Sequence, residues 1–266
     1  MPFVKLHQPC LECGSSDGAS INDDGSAWCF VCSKYFKNYS TSEVHQPDTV
    51  TDFEVYQRNS KMEQSSNQVS SYTATFNELT DRKISLATAK KYGVKSTTKD
   101  GKIDKHYYPY FNGHEFAGTK VRRQNKHFSW TGSAKEVGLF GENLFKAGGK
   151  FITLTEGECD AMAAYELMGS KWPVVSIKSG AQGGVADVKK SLEYLESFDS
   201  VVINFDNDKV GEEAAREIAK LLTPKKAKIM TLPVDYKDAN DMLRQGRHAA
   251  YVSAFWESKV YTPSVY

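Results

Sequence analysis

The chain of 266 residues has no strong charge of either sign: 34 lysines and arginines stand against 33 aspartates and glutamates. That near-balance excludes a global field that would draw in a polyanion, so any nucleic-acid affinity must come from local patches. No apolar run reaches the roughly 20 residues a helix needs to span a bilayer. The opening segment, Met1-Pro2-Phe3-Val4-Lys5-Leu6-His7-Gln8-Pro9, lacks the apolar core of a secretory signal. No Gly-x4-Gly-Lys-Ser/Thr sequence occurs, which excludes a phosphate loop of that type. The expectation is a cytoplasmic protein with no membrane partner, whose thiols stay reduced. Its five cysteines then read as metal ligands and one remainder rather than as disulfides.

Four of those cysteines open the chain as Cys10-x-x-Cys13 and, fifteen residues on, Cys29-x-x-Cys32. Each pair is a tight knuckle carrying two thiolates, and four thiolates complete a closed tetrahedral Zn²⁺ site. The spacing predicts a β zinc ribbon over residues 1–40, with a turn at Asn22-Asp23-Asp24-Gly25. A unit this small cannot stand on its apolar core alone, so the zinc is structural and supplies its stability. Trp28, Phe30, Tyr35 and Phe36 are many aromatics for so few residues. They either fill the small core or remain available to stack on bases. Residues 41–71 are rich in Ser, Thr, Gln, Asn and Asp without apolar period, the composition of a flexible linker.

Residues 72–149 read as an α+β subdomain. Ser85 is placed to cap a helix running to Tyr92 with Gly93 at its end. Strand-like runs at 106–111 and 115–121 flank Asn112-Gly113, a hairpin signal. From Phe116 to Lys135 no acid occurs, while Lys120, Arg122, Arg123, Lys126 and Lys135 accumulate beside His127, Phe128 and Trp130. Lys120 and Arg122 share one face of a strand. The stretch is either a solvated face or a set of cations for phosphate.

From residue 150 to 258 short apolar runs alternate with helical patterns, which predicts βαβ units and a mostly parallel sheet. The run 151–155 stops at Glu156 and the run 201–205 stops at Asp206-Asn207-Asp208. A further strand at 227–232 precedes Asp235 and Asp238. Ligands in such sheets bind beyond the carboxyl ends of the strands, and grouped carboxylates there repel one another. A divalent cation relieves that repulsion, and an oxygen-rich, water-rich site suits Mg²⁺. Gly180-Ala181-Gln182-Gly183-Gly184 is expected to be a loop, and Cys159 a buried thiol early in a helix.

The pattern Thr155-Glu156-Gly157-Glu158 followed by Asp206-x-Asp208 resembles the Toprim domain shared by DnaG-type primases, topoisomerases, some nucleases and RecR. With a ribbon, a linker and a basic region before it, the whole chain resembles the primase half of the primase–helicases of T-seven-like phages. The strings that carry this include Cys10-Leu-Glu-Cys13-Gly-Ser-Ser-Asp-Gly, Lys120-Val-Arg122, Leu139-Phe-Gly, Gly148-Gly-Lys150 and Lys237-Asp-Ala-Asn240.

The resemblance implies an enzyme that makes short RNA primers on single-stranded DNA from ribonucleoside triphosphates, working with a replicative helicase and a DNA polymerase inside an infected bacterium. It implies that Glu156, Asp206, Asp208 and Asp238 serve catalytic Mg²⁺, for which Mn²⁺ is an alternative. Glu156 acts as ligand or as general base. It assigns Lys120 and Lys126 to catalysis and nucleotide binding. Arg122, Arg123, Lys135, Asp24 and Trp28 go to nucleotide or template. One departure is Ser26 after Asp24-Gly25, where the family commonly has a template-reading histidine. The competing classes are a RecR-like DNA-binding scaffold without catalysis and a Toprim nuclease.

Overall fold

The computed structural model describes residues 3–10, 12, 19–29, 34–37, 39, 74–124, 127–135 and 137–263. The chain divides into two units, Met1–Gln64 and Ser65–Tyr266. The segment 41–71 lies outside the described residues, as do Cys13, Cys32 and Lys126.

In the first unit β1 (Phe3–Gln8), β2 (Ala19–Asn22), β3 (Ala27–Cys29) and β4 (Tyr35–Phe36) form an antiparallel sheet in that order. Its centre is small: Cys10, Ala19 and Cys29 are buried together, with Phe36 and Tyr39 packed on them. The β2–β3 turn is held by its own polar residues. Asp24 accepts from the Ser26 N–H at 2.9 Å and from its hydroxyl at 2.6 Å. These bonds, the hydroxyl first, hold the Asp24 carboxyl below its usual range.

The second unit begins with α1 (Leu86–Lys91), where the Ser85 hydroxyl caps the first turn through the Thr88 N–H. Next come β5 (Lys95–Lys99), β6 (Lys102–Asn112), β7 (Glu115–Arg123) and β8 (Phe128–Gly132), an antiparallel sheet in sequence order. Directly opposed residues of antiparallel strands share a face. Tyr108, Lys120 and Trp130 therefore form one row, and His106, Arg122 and Phe128 the next.

A five-stranded sheet follows, ordered β10 (Val174–Ser176), β9 (Gly149–Thr155), β11 (Phe198–Asn204), β12 (Ala227–Ile229) and β13 (Lys259–Val260). The first four are parallel and β13 is antiparallel to β12. Ile152, Leu154, Val174, Val175, Val201, Val202 and Ile203 have no exposed surface, as expected of strands covered on both faces. The helices are α2 (Glu158–Leu167), α3 (Gly180–Lys190), α4 (Leu192–Glu196), α5 (Lys209–Ala219), α6 (Ala239–Arg244) and α7 (His248–Trp256). One core lies where α2, α6 and α7 meet the antiparallel sheet, through Tyr108, Tyr110, Met162 and Met242. The second packs α3 and α5 on the other side of the parallel sheet. Among the described residues no helix is long and apolar enough to cross a membrane.

The expected loop at Gly180–Gly184 is instead the first turns of α3. Gly184 serves close packing. A Cβ at Gly184 would stand 2.9 Å from Ile177 Cδ1 and 3.1 Å from Ile218 Cδ1, so glycine lets α3 settle against the sheet and α5. The helix is anchored by Asp187, which accepts from the Lys178 and Ser179 N–H groups at 3.0 and 2.9 Å and from Lys178 Nζ at 2.6 Å. Both side chains of that ion pair are buried, at 7% and 4% exposure. Removing one partner of a buried pair strands the other charge, which costs about 3–5 kcal/mol. Asp187→Ala should lower the stability measured by urea unfolding by that amount, and adding Lys178→Met should recover most of it.

Candidate active site

The parallel sheet reverses direction of growth between β9 and β11. The chain leaves β9 for β10 on one side and returns to β11 on the other. A crevice opens at such a switch point beyond the strand ends. Glu156 follows β9, Asp206 follows β11, and Thr155 and Asn204 are paired neighbours. A cleft of about 530 Å³ lies there, lined by the acids Glu156, Glu158, Asp160 and Asp206 together with Lys120, Phe128 and Trp130. A smaller hollow of about 210 Å³ adds Asp238, Lys237, Arg122 and Arg82.

Glu156 Oε1 accepts from the Ala181 N–H at 3.3 Å, while its Oε2 is buried with no hydrogen-bond partner among the described residues. Burial, and then the charge of Asp206, pushes its carboxyl above the ordinary range. Asp206 is paired with Lys237 at 2.8 Å, a contact that raises the lysine. Asp208 caps α5 by accepting from the Gly211 N–H at 2.9 Å. Gly211 is needed there, since a Cβ would stand 2.2 Å from the Asp206 carbonyl oxygen. Asp238 caps α6 through the Asp241 N–H at 2.7 Å, and burial raises its carboxyl.

The four expected metal-site acids are therefore not gathered as one cage. Glu156 and Asp206 share the cleft and Asp238 lies in the adjoining hollow; Asp208 lines neither but stands 4.0 Å from the Lys237 ammonium that also pairs with Asp206. Among the described residues no three or more Asp, Glu, His or Cys side chains stand at metal-holding separation. The donor set still suits Mg²⁺, which is usually held by one or two carboxylates together with water and phosphate oxygens. The orphaned Oε2 of Glu156 is the group that such a cation would satisfy.

Lys120 departs from the expectation of a solvated cation. It is 8% exposed. Its ammonium donates to Glu158 Oε1 at 2.7 Å and to the Lys178 carbonyl at 2.6 Å, and lies 4.7 Å from the centre of the Phe128 ring. The Tyr110 hydroxyl donates to the same carboxylate at 2.6 Å. Arg122 points toward Cys159, with Nη1 3.8 Å from the sulfur. Cys159 is buried as expected, within a polar group the sequence did not announce. The Tyr108 hydroxyl is 3.2 Å from its sulfur, and His106 bridges Tyr108 at 2.8 Å to Asp81 at 3.1 Å. Burial alone would lower His106, but Asp81 and the sulfur outweigh it and hold the imidazole at about 9. Arg123 projects from the opposite face of β7, with Nη1 3.2 Å from His127 Nδ1. Lys135 is exposed. In the first unit Trp28 is half-buried on β3, and Ser26 is buried by the turn bonds it makes.

A Toprim-like family profile matches residues 153–243. Over 265 residues, 97% of this chain, the sequence is 33% identical to the DNA helicase/primase of Enterobacteria phage T3. It spans 44% of that curated relative's length. The structure of the bacteriophage T7 lagging-strand DNA polymerase interacting with primase domains bound to an RNA/DNA hybrid and dTTP matches with a TM-score of 0.64 at 33% identity, over 71% of this chain and 94% of that one. The crystal structure of the primase fragment of the bacteriophage T7 primase-helicase protein matches with a TM-score of 0.63 at 31% identity, over 96% of this chain and 100% of that fragment. The chain belongs to the T7-like phage primase family.

This primase relative has functional candidates that sequence reasoning passed over: Asp160, Glu158, Lys178 and Lys237. Glu158 and Lys237 stood inside motifs already singled out, whereas Asp160 looked like an ordinary first-turn acid. It is buried, accepts from the Asn240 N–H at 3.2 Å, and is pushed well above the usual carboxylate range by burial, then by Asp238, Cys159 and Asp206. A carboxyl raised in the folded state disfavours folding once pH exceeds its unfolded value near 3.9. Asp160→Asn should therefore raise the melting temperature at pH 7 by several degrees, roughly 2–4 °C per kcal/mol relieved. That gain should vanish as pH falls below about 4. A gain that persists unchanged in acid would assign the effect to packing.

Proposed function

We propose that this chain is a DNA primase that synthesises short RNA primers on single-stranded DNA from ribonucleoside triphosphates, with the N-terminal sheet reading the initiation sequence. The observation that carries the reading is that Glu156, Asp206 and Lys120 line one cleft at the strand switch point. The T7 relative solved with an RNA/DNA hybrid and a DNA polymerase supports hybrid and polymerase as partners here, and the T3 helicase/primase supports a helicase partner.

Glu156, Asp206 and Asp208 would hold Mg²⁺, with Mn²⁺ as a substitute. When bound, it supplies a Lewis acid for attack of a 3′-hydroxyl on an α-phosphate and for the departing pyrophosphate. Lys237 already neutralises Asp206 and sits where it can follow charge as phosphate enters. Lys120, Arg122 and Lys126 would offset phosphate charge. Glu156, with its raised affinity for a proton, alternatively serves as general base. Cys10, Cys13, Cys29 and Cys32 would hold a structural Zn²⁺. The burial of Cys10 and Cys29 in the same small core fits that role. The boundaries 1–40, 41–71, 72–149 and 150–258 mark ribbon, linker, basic subdomain and Toprim domain.

Incubation with single-stranded DNA, Mg²⁺ and labelled ribonucleotides separates the classes. Short new RNA is expected; degraded DNA would mean a nuclease, and no chemistry a scaffold. Asp206→Asn and Asp208→Asn should each reduce synthesis by at least about a hundredfold, the scale of losing a preorganised electrostatic group. Asparagine caps helices as well as aspartate does, so α5 should stay folded in Asp208→Asn, as far-UV circular dichroism would verify. Near-normal synthesis by both variants would remove these acids from the site.

Deleting residues 1–45 addresses the ribbon. The remaining protein should extend a pre-annealed short RNA but lose sequence-specific initiation on DNA. Unchanged initiation would place template reading in the Toprim-containing unit.

A further inference from the structure

The antiparallel sheet lines the cleft with alternating cations and aromatics. On one face of the antiparallel sheet, Lys120 is paired with Trp130 and Arg122 with Phe128. The two aromatics are two residues apart on β8 and so project to the same side. Trp130 is half-buried and leans on Tyr110, with ring centres 4.9 Å apart. Phe128 is different: it is 45% exposed and lines both the larger cleft and the adjoining hollow. The Lys120 ammonium lies 4.7 Å from its ring centre. A phenyl ring held at a water-filled, carboxylate-lined cleft has no core to fill, and the cation on it is itself buried in an ion pair with Glu158.

We infer that Phe128, backed by Trp130, is the base-stacking platform of this cleft, holding the nucleobase of a nucleotide whose phosphates lie between Lys120 and the Glu156–Asp206 side. The inference rests on the primase reading for the identity of the ligand, but its chemistry is that of any nucleobase. Aromatic rings accept every base because every base has a π-face. An ammonium on a ring adds cation–π attraction. The cleft volume of about 530 Å³ lies within the range of small-molecule sites. Phe128 is thus a positioning residue, while Lys120 and Arg122 serve the phosphates. The base belongs either to an incoming ribonucleoside triphosphate or to the template strand.

Two fluorescent probes distinguish these sources: 2-aminopurine riboside triphosphate, and a single-stranded oligodeoxynucleotide carrying one internal 2-aminopurine. Each is titrated separately into the full chain with Mg²⁺ present, so that nucleotide and template never meet and no synthesis occurs. Stacking quenches 2-aminopurine, and the probe that is quenched names the source. Phe128→Leu should abolish the quenching and weaken binding of that probe roughly five- to a hundredfold, the cost of losing one stacked base. Phe128→Tyr should restore both. Inorganic tripolyphosphate, which has no base, should bind wild type and Phe128→Leu alike.

Quenching and affinity that survive in Phe128→Leu for both probes would overturn the inference. So would a Phe128→Leu defect shared by tripolyphosphate, because the ring would then act only by placing Lys120. If wild type quenches a probe yet makes no RNA in the complete reaction, the primase reading fails and the stacking platform stands.

Discussion

Five carboxyl groups border the two adjoining hollows beyond the ends of β9 and β11; Glu158 is paired with Lys120, and the mutual repulsion of the other four, Glu156, Asp160, Asp206 and Asp238, shapes the structure around them. Each acid receives a partial remedy. Asp206 has Lys237, Asp238 has the first turn of α6, Asp160 has the Asn240 N–H, and Glu156 has the Ala181 N–H. The remedies are incomplete, since burial and neighbouring charge still raise Glu156, Asp160 and Asp238. A fold selected for stability alone would not concentrate acids in this way, and perturbed groups that share a cleft mark a functional site. The helices α5 and α6 both begin here, so their N-terminal N–H groups and dipoles face the surplus of negative charge.

The facing wall answers with buried cations. Lys120 joins β7 to α2 through Glu158 and reaches the Lys178 carbonyl, while Lys178 is itself clamped by Asp187. These contacts form a polar bar between the antiparallel sheet, α2 and α3. Buried ion pairs add little net stability compared with apolar packing, but losing one partner is costly. The bar therefore ties the antiparallel sheet to α2 and α3 more than it strengthens the core.

Much of this was legible in the sequence because strands covered on both faces read as unbroken apolar runs. The acids closing Phe151–Thr155 and Val201–Phe205 were found by that rule, and the Ser85 cap and the Asn112-Gly113 hairpin by local turn chemistry. The failures have local causes. Glycines at 180–184 resemble a loop, yet here Gly184 allows α3 to approach Ile177 and Ile218, a tertiary fact that no local rule contains. The edge strand β13 is two residues long, too short for a period. Lys120 looked solvated because its partner Glu158 lies 38 residues away. Asp160 was hidden in a helical pattern in which acids are common. The grouping of His106, Tyr108 and Cys159 depends on pairing between a strand and a helix some 50 positions apart.

The near-zero net charge of the chain gives these local arrangements their significance. Without a global field, attraction of a nucleotide or template is confined to the reach of the few exposed or cleft-facing cations, roughly one screening length of 8–10 Å. Within that reach, Arg122 and Lys237 face the hollow beside Asp206 and Asp238, so a polyphosphate entering there meets cations and carboxylates together. Such a ligand cannot be held by charge attraction alone, because the acids repel it as the lysines attract it. On the proposed reading, a divalent cation reconciles phosphate with carboxylate, and a contact indifferent to charge orients the rest of the molecule. The aromatic face of β8 is the part of this cleft suited to the second. In a nearly neutral protein such a reading rests on juxtaposition: the pairing of β7 with β8 holds a cationic row and an aromatic row in register, and the same cleft is lined by acids.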